Sequence, residues 1–302
     1  MGSLPKEVAE ACEAVRQRLC LSHEDLLKPQ LLSVHALLHI AVRHSSSWEP
    51  KRCLNLLLLF GGKAGAAKKM NEMNMGAKSL DKINDASEDI LCITGCLQTT
   101  YWVMSVVRHG TVWASPECRT WLSFISRSAY GRTSDSTGIW GSDNVSAKCA
   151  LEAQSANDVA VLLSHMLFLC SLRQVFYAVE QPLNSLLFKN PCIASMLLGD
   201  CASRVVCCAG ALGASTIKPL EIFVTWPELY AIQNLKFNRK DARKHFKGKC
   251  QKPKQLAHVQ GRWTRGAHKC MKSSAEYPWG LCEAIANGAV QVWTAMSDMA
   301  VD

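Results

Sequence analysis

RCLNLLLLFGGKAG, residues 52–65, is the stretch that decides the fold class. Its apolar run shows no polar alternation, as expected of a strand covered on both faces of a parallel sheet. The two glycines that follow permit a tight turn and a close backbone approach. The residues after them open a helix, whose N-terminus favours an anion. The spacing is not G-x-G-x-x-G and Lys63 interrupts it, so the segment by itself specifies strand, turn and helix but no ligand.

Downstream, short apolar runs continue between helical segments. They are AKSLD (77–81), DILCI (89–93), GTVWAS (110–115) and, after a long helix over 155–173, VFYAVE (175–180). Strands alternating with helices predict parallel βαβ units. RVVCCAGA (204–211) and KPLEIFVT (218–225) lie close together, which predicts one antiparallel hairpin at a sheet edge. The expected fold is therefore α/β, with a mostly parallel sheet and one antiparallel edge strand. Residues 1–50 read as a helical N-terminal segment, with Ser3 placed to cap SLPKEVAEACEAVRQRLC, so that 51–302 form the α/β domain. SRSAYGRTSDSTGIWGSDN (126–144) is rich in Ser and Gly and reads as a long loop.

Composition sets the class. The chain has 302 residues, 48% of them hydrophobic, and a mean hydropathy of +0.01, which supports a packed core and excludes a disordered chain. No apolar leader precedes the first charged residues, and the longest apolar run, VAVLLSHMLFLCSL (159–172), is too short to span a bilayer and contains His165. It reads as a buried helix with a core histidine, and no membrane partner is expected. The 15 cysteines include adjacent pairs in apolar stretches, such as Cys207 and Cys208, which suits reduced thiols and an intracellular location, nuclear or cytoplasmic.

The net charge of +9 is concentrated in one place. Residues 236–272 carry nine Lys and four Arg against one acid, a net +12, which leaves the rest of the chain near −3. A block of this kind fits contact with a polyanion, so nucleic acid is the expected partner. Lys240, Arg243, Lys244, Lys247 and Arg262 would meet phosphates, and Trp263 would stack on an unpaired base. Arg119 and Arg132 would extend that surface. A nuclear-import signal and a solvated surface loop are the other uses of such a block. His245, Cys250, His258, His268 and Cys270 match no paired metal-ligand spacing, and no metal is expected.

In an open parallel sheet, ligands collect beyond the carboxyl ends of the strands. Here those ends carry FGGKAG, then Asp81 and Asp89, then SPEC with Cys118, then VEQP with Glu180. A carboxylate about twenty residues past a glycine turn can accept hydrogen bonds from both hydroxyls of a ribose. A thiol in a turn just past a strand is a candidate nucleophile. Each alone has a plain alternative: Asp81 and Asp89 as caps, Cys118 as a packed thiol, Glu180 as a capping acid.

The ordered series LFGGKAG … SLDKIN … SEDIL … SPEC … VEQP resembles the motifs of C5-cytosine methyltransferases, over roughly 50–295. It is most similar to divergent members found in dinoflagellates and retroelement-derived genes. ALGASTIKPLEIFVTWPEL and KSSAEYPWGLCEAIANGAV also look like that group's closing segments. The resemblance implies a Rossmann-like methyltransferase sheet and S-adenosylmethionine as cofactor. Phe60, Gly62 and Gly65 would line it, Asp81 would hold the ribose and Asp89 the adenine edge. Cys118 would be the nucleophile that adds to cytosine C6, and Glu180 the acid that orients the base and stabilises the charge that develops. A base in a duplex would have to leave the stack to reach them.

Three positions depart from the family pattern. Leu58 stands where an acid precedes the Phe, and Glu117 replaces the second proline of a Pro-Pro-Cys turn. An anion beside a thiol raises its pKa and opposes thiolate formation. No Gln-x-Arg-x-Arg element follows the glutamate, and only Arg204 and Lys218 stand in its neighbourhood. The expected function is methyl transfer to cytosine C5. The alternative is a catalytically inactive relative that binds nucleic acid through its basic segment.

Overall fold

The computed structural model describes residues 53–135, 137–142, 144–212, 218–226 and 277–298. The expected N-terminal helices over 1–50 and the basic segment over 236–272 lie outside the described residues.

The protein is α/β, built on a six-stranded mixed sheet. β1 (Leu54–Leu59) leads into α1 (Gly65–Glu72) and β2 (Ala77–Leu80). α2 (Ile93–Met104) precedes β3 (Val106–Ala114), and α3 (Ser123–Tyr130) and α4 (Ala147–Leu172) precede β4 (Phe176–Pro182). α5 (Pro191–Gly199), β5 (Ser203–Cys208) and β6 (Pro219–Val224) follow, and α6 (Trp279–Asp298) closes the described chain. The strand order is β2-β1-β3-β4-β6-β5. β1, β2, β3 and β4 run parallel, whereas β6 runs antiparallel to both of its neighbours.

The antiparallel strand is therefore not at the edge, as the sequence led us to expect. β5 and β6 do form the hairpin, because ten residues join them and a parallel crossover needs a dozen or more. But β6 turns back between β4 and β5, leaving β5 outermost. This reversal matters for the site. It brings Lys218, the residue before β6, to the same end of the sheet as the carboxyl ends of β3 and β4, where Leu183 N donates to Pro219 O.

Both faces of the sheet are covered, which accounts for the unbroken apolar runs. On one face, Leu57, Val112, Tyr177 and Val179 pack under α2, α4 and α5. On the other, Leu56, Leu58, Trp113, Ala178 and Ile222 pack under α1 and α6. Leu58, where the family pattern has an acid, is 1% exposed and simply fills this core.

α4 is longer than the sequence indicated, starting at Ala147 behind Ser146, whose Oγ caps the helix by accepting from Cys149 N at 3.3 Å. Long and apolar enough to cross a membrane, it has 61% of its most apolar stretch buried inside the protein. Residues 89–93 are not a strand. They lead from a 3-10 turn at Ala86–Glu88 into α2, with Ile90 buried. Nor is 126–144 all loop: it includes the end of α3, closed by Gly131 in the left-handed conformation, and a 3-10 turn at Gly138–Trp140.

Candidate functional site

Two features lie at the carboxyl end of the sheet; Glu117 and Arg119, on either side of Cys118, line the first, whereas Cys118 and Glu180 themselves do not. The first is a cavity of about 360 Å³ between the end of β1, the lead-in to α2, the turn after Cys118 and α4. That volume lies within the range of small-molecule sites. Phe60 and Asp89 line it, together with Glu117, Arg119, Trp121 and Glu152. Phe60 sits at φ 59°, a left-handed conformation that a bulky side chain adopts only under constraint. The strain is concentrated where the strand delivers a ring into the cavity.

Gly62, at φ 53°, completes that turn, and its amide donates to Asp81 Oδ2 at 2.8 Å. Asp81 Oδ1 accepts from Ile83 N at 2.9 Å. Asp81 is 7% exposed and ties the end of β2 to the glycine turn beside the cavity, of which it forms no wall. Asp89 Oδ1 accepts from Leu91 N at 3.1 Å, which fixes its carboxylate on the wall. Gly65 has another task. A Cβ there would lie 2.6 Å from Cys282 Sγ, so the glycine lets α1 pack on α6 and does not face the cavity.

The charges around the cavity are unequal. Glu88, Asp89, Glu117 and Glu152 line it against Lys82 and Arg119. Arg119 is largely exposed and pairs with Glu152 at 3.6 Å, while Lys78 pairs with Glu88 at 3.6 Å. Carboxylates outnumber cations, so the lining favours a ligand with positive charge or several hydroxyl donors.

The second feature is the pair Cys118 and Glu180. β3 and β4 are adjacent and parallel, and their pairing ends at Ala114 opposite Val179; Ser115 leaves the sheet there, Glu180 continues in β4 opposite Ile222 of β6, and Cys118 follows Ser115 within a short turn. Gln181 pins that turn to β4: its Nε2 donates to Pro116 O at 2.6 Å, and its Oε1 accepts from Ser185 Oγ at 3.0 Å.

Glu180 is 4% exposed. Burial pushes its carboxyl up from the ordinary range, opposed by the Lys218 cation and by hydrogen bonds from Tyr277 and Ser115. Tyr277 donates to Oε2 at 2.7 Å, and Trp113 Nε1 donates to Tyr277 Oη at 2.9 Å and to Ser115 Oγ at 3.0 Å. Ser115 and Tyr277 share a short hydrogen bond. Glu180 Oε1, by contrast, is buried with no hydrogen-bond partner.

Burial also raises the Cys118 thiol. Lys218 lowers it, and Glu180 and Glu117 raise it further. Cys118, Glu180 and Lys218 thus act on one another electrostatically, at a site that is part acid, part thiol and part cation. The sequence offered Lys218 only as a stand-in for an absent arginine. The antiparallel course of β6 is what brings it here. Gln181, Ser115 and Tyr277 were missed. The first two stand next to the residues singled out, and Tyr277 falls within the quoted closing segment, but no local pattern gives their partners.

Arg132 is a correction. Expected on the nucleic-acid face, it is wholly buried. Its Nη1 donates to Ile139 O at 2.6 Å and to Asn157 Oδ1 at 2.8 Å, its Nη2 donates to Ala153 O at 3.0 Å, and its guanidinium lies 3.7 Å from the centre of the Trp121 ring. Burial pulls its pKa down to about 10. It organises the segment between α3 and α4 and cannot reach a phosphate. Lys240, Arg243, Lys244, Lys247, Arg262 and Trp263 lie outside the described residues.

Among the described residues, no group of three or more His, Cys, Asp and Glu side chains is arranged to hold a metal ion. Compared with protein-family models, curated proteins and solved structures, the chain matches none.

Proposed function

We propose that this is a Rossmann-like methyltransferase domain that transfers a methyl group to cytosine C5 in nucleic acid. The observation that carries the reading is the placement of Cys118 and Glu180 at the carboxyl ends of neighbouring parallel strands, beside a cavity lined by Phe60 and Asp89. The acid-rich lining suits S-adenosylmethionine, whose sulfonium and amino group are cationic and whose ribose and adenine bring hydrogen-bond donors. Bound there, it would supply an electrophilic methyl group. Phe60 would meet its apolar surface and Asp89 its adenine edge. Gly62 and Asp81, hydrogen-bonded to each other, would brace the turn that presents Phe60 and would not themselves contact the cofactor.

The protein's own groups fit the rest of the chemistry. Cytosine C5 is a poor nucleophile until a thiolate adds at C6. The Cys118 sulfur forms that S–C6 bond, and electron density moves into the ring toward N3. Glu180, whose carboxyl burial pushes up from the ordinary range, donates a proton to N3 as that charge develops. Lys218 favours the Cys118 thiolate. After transfer the N3 proton returns to the Glu180 carboxylate, a solvent base takes the C5 proton, and cleavage of the S–C6 bond releases the Cys118 thiolate and the methylated base. The expected partner is nucleic acid, with phosphates contacted through 236–272.

Two measurements test this. Calorimetric titration with S-adenosylmethionine is expected to show binding that Asp89→Ala weakens at least about tenfold, the loss of one or two hydrogen bonds to the ligand. Transfer of labelled methyl to DNA or RNA is expected to vanish in Cys118→Ser while cofactor binding persists. Absence of cofactor binding by the wild type would overturn the reading.

A second reading is favoured by one observation: burial, Glu180 and Glu117 all oppose ionisation of Cys118. On that reading the protein is a catalytically inactive relative that binds nucleic acid through its basic segment. Oligonucleotide affinity would then fall steeply with salt, be indifferent to Cys118→Ser, and be accompanied by no methyl transfer.

A further inference from the structure

Tyr277 is far from Glu180 in sequence, yet its hydroxyl donates to that carboxyl. It reaches Oε2 at 2.7 Å from the start of α6, while its ring meets Trp113 edge-on with centroids 6.3 Å apart. Trp113 and Ser115 hold the same hydroxyl from β3. Trp113 Nε1 can only donate, so the Tyr277 oxygen is its acceptor and the Tyr277 hydrogen is directed elsewhere. A carboxyl oxygen at 2.7 Å is the strongest acceptor within its reach. Oε2 is thereby occupied, and Oε1 is left buried without a partner.

We propose that Tyr277 is a positioning residue for Glu180: by donating to Oε2 it leaves Oε1 as the oxygen that takes up the proton when the acid is protonated and meets an incoming ring-nitrogen acceptor. A buried O–H without an acceptor is costly, and a ligand nitrogen relieves that cost. The site so prepared takes a base whose ring nitrogen bears a lone pair, such as N3 of cytosine. It disfavours one that carries hydrogen there, such as uracil or thymine. The C-terminal helix is then part of the site, and the charged and titratable groups around Glu180 are Lys218, Cys118, Cys207 and Tyr277 itself. The assignment of a base to Oε1 rests on the methyl-transfer reading. The coupling of Tyr277 to Glu180 does not.

Infrared difference spectroscopy of the full chain tests the coupling. The C=O stretch of protonated Glu180, identified by its loss in Glu180→Gln, is followed against pH in the wild type, in Tyr277→Phe and in Ser115→Ala. Hydrogen bonds to a carboxylate favour its charged form, so removing the Tyr277 hydroxyl is expected to move the loss of the band upward by about one pH unit. Ser115→Ala is expected to move it in the same direction by less, and carries the test if Tyr277→Phe does not fold. A purely structural role for Tyr277 would leave the midpoint where it is, and an unchanged midpoint in the folded variants overturns the inference. A shifted midpoint in a protein that binds no S-adenosylmethionine would uphold the coupling and remove the methyl-transfer reading alone.

Discussion

The Cys118 thiol is held back from ionising, and the groups that do so can be named. Burial is the largest influence; Lys218 opposes it, and Glu180 and Glu117 add to it. Glu117 lines the cavity from the same short turn, so it can be altered without disturbing the sheet. Glu117→Gln removes an anion and is expected to speed alkylation of Cys118 by iodoacetamide about threefold, whereas Lys218→Met is expected to slow it. Mass-spectrometric mapping reads both changes, with exposed Cys53 and Cys201 as internal standards. Equal rates in all three proteins would show that these charges do not act on the thiol. At this scale the sequence was partly legible. Cys118 and Glu180 were found because each follows an apolar strand, and strand ends are where ligands collect. Tyr277 was not, since what gives it a role is a hydrogen bond across 97 residues. Arg132 was misplaced because a Ser- and Gly-rich stretch reads as surface, and nothing local reveals that α4 and Trp121 enclose its guanidinium.

Elements were legible where periodicity was unambiguous. The strand at 54–59 and the helix after its glycine turn follow directly from RCLNLLLLFGGKAG. DILCI was misread because a short apolar run looks the same in a strand and in the buried lead-in to a helix. Here Cys92 caps α2, its Sγ accepting from Gly95 N at 3.2 Å, and the run turns into helix. Gly65 teaches a different lesson. Its position after a glycine turn suggested a cofactor contact, but its missing side chain serves the packing of α1 on α6, where Cys282 Sγ approaches. Gly65→Ala is therefore expected to destabilise the fold by about 1–3 kcal/mol through overpacking. Cys282→Ala in the same chain should restore most of that loss, because it vacates the space. Urea unfolding of the two single variants and the double variant measures the coupling. Additive effects would place Gly65 elsewhere.

For the whole molecule, strand order decides what can meet. Placing β6 antiparallel between β4 and β5 brings Lys218 back to the carboxyl ends of β3 and β4, and α6 returns from the far end of the chain to set Tyr277 against Glu180. Alternation of strands and helices predicted the mostly parallel sheet. It could not predict which strand would be outermost, because a hairpin's two strands compete for the same neighbour on nearly equal terms. The uneven charge of the chain adds the last element, since a basic segment of net +12 accompanies a domain whose cavity is acid-lined. The segment suits a polyanion, the cavity a cationic ligand. Methyl transfer of the kind proposed requires a nucleic-acid base, Cys118 and the cofactor to come together in one complex. Mechanism-based trapping tests that requirement: DNA and RNA oligonucleotides containing 5-fluorocytosine are incubated with the protein, with and without S-adenosylmethionine. Fluorine at C5 cannot leave as a proton, so the S–C6 bond should persist. A denaturation-resistant adduct mapped to Cys118, formed only with the cofactor and lost in Cys118→Ser, is the predicted result; no adduct with either nucleic acid, or one at another cysteine, would contradict it.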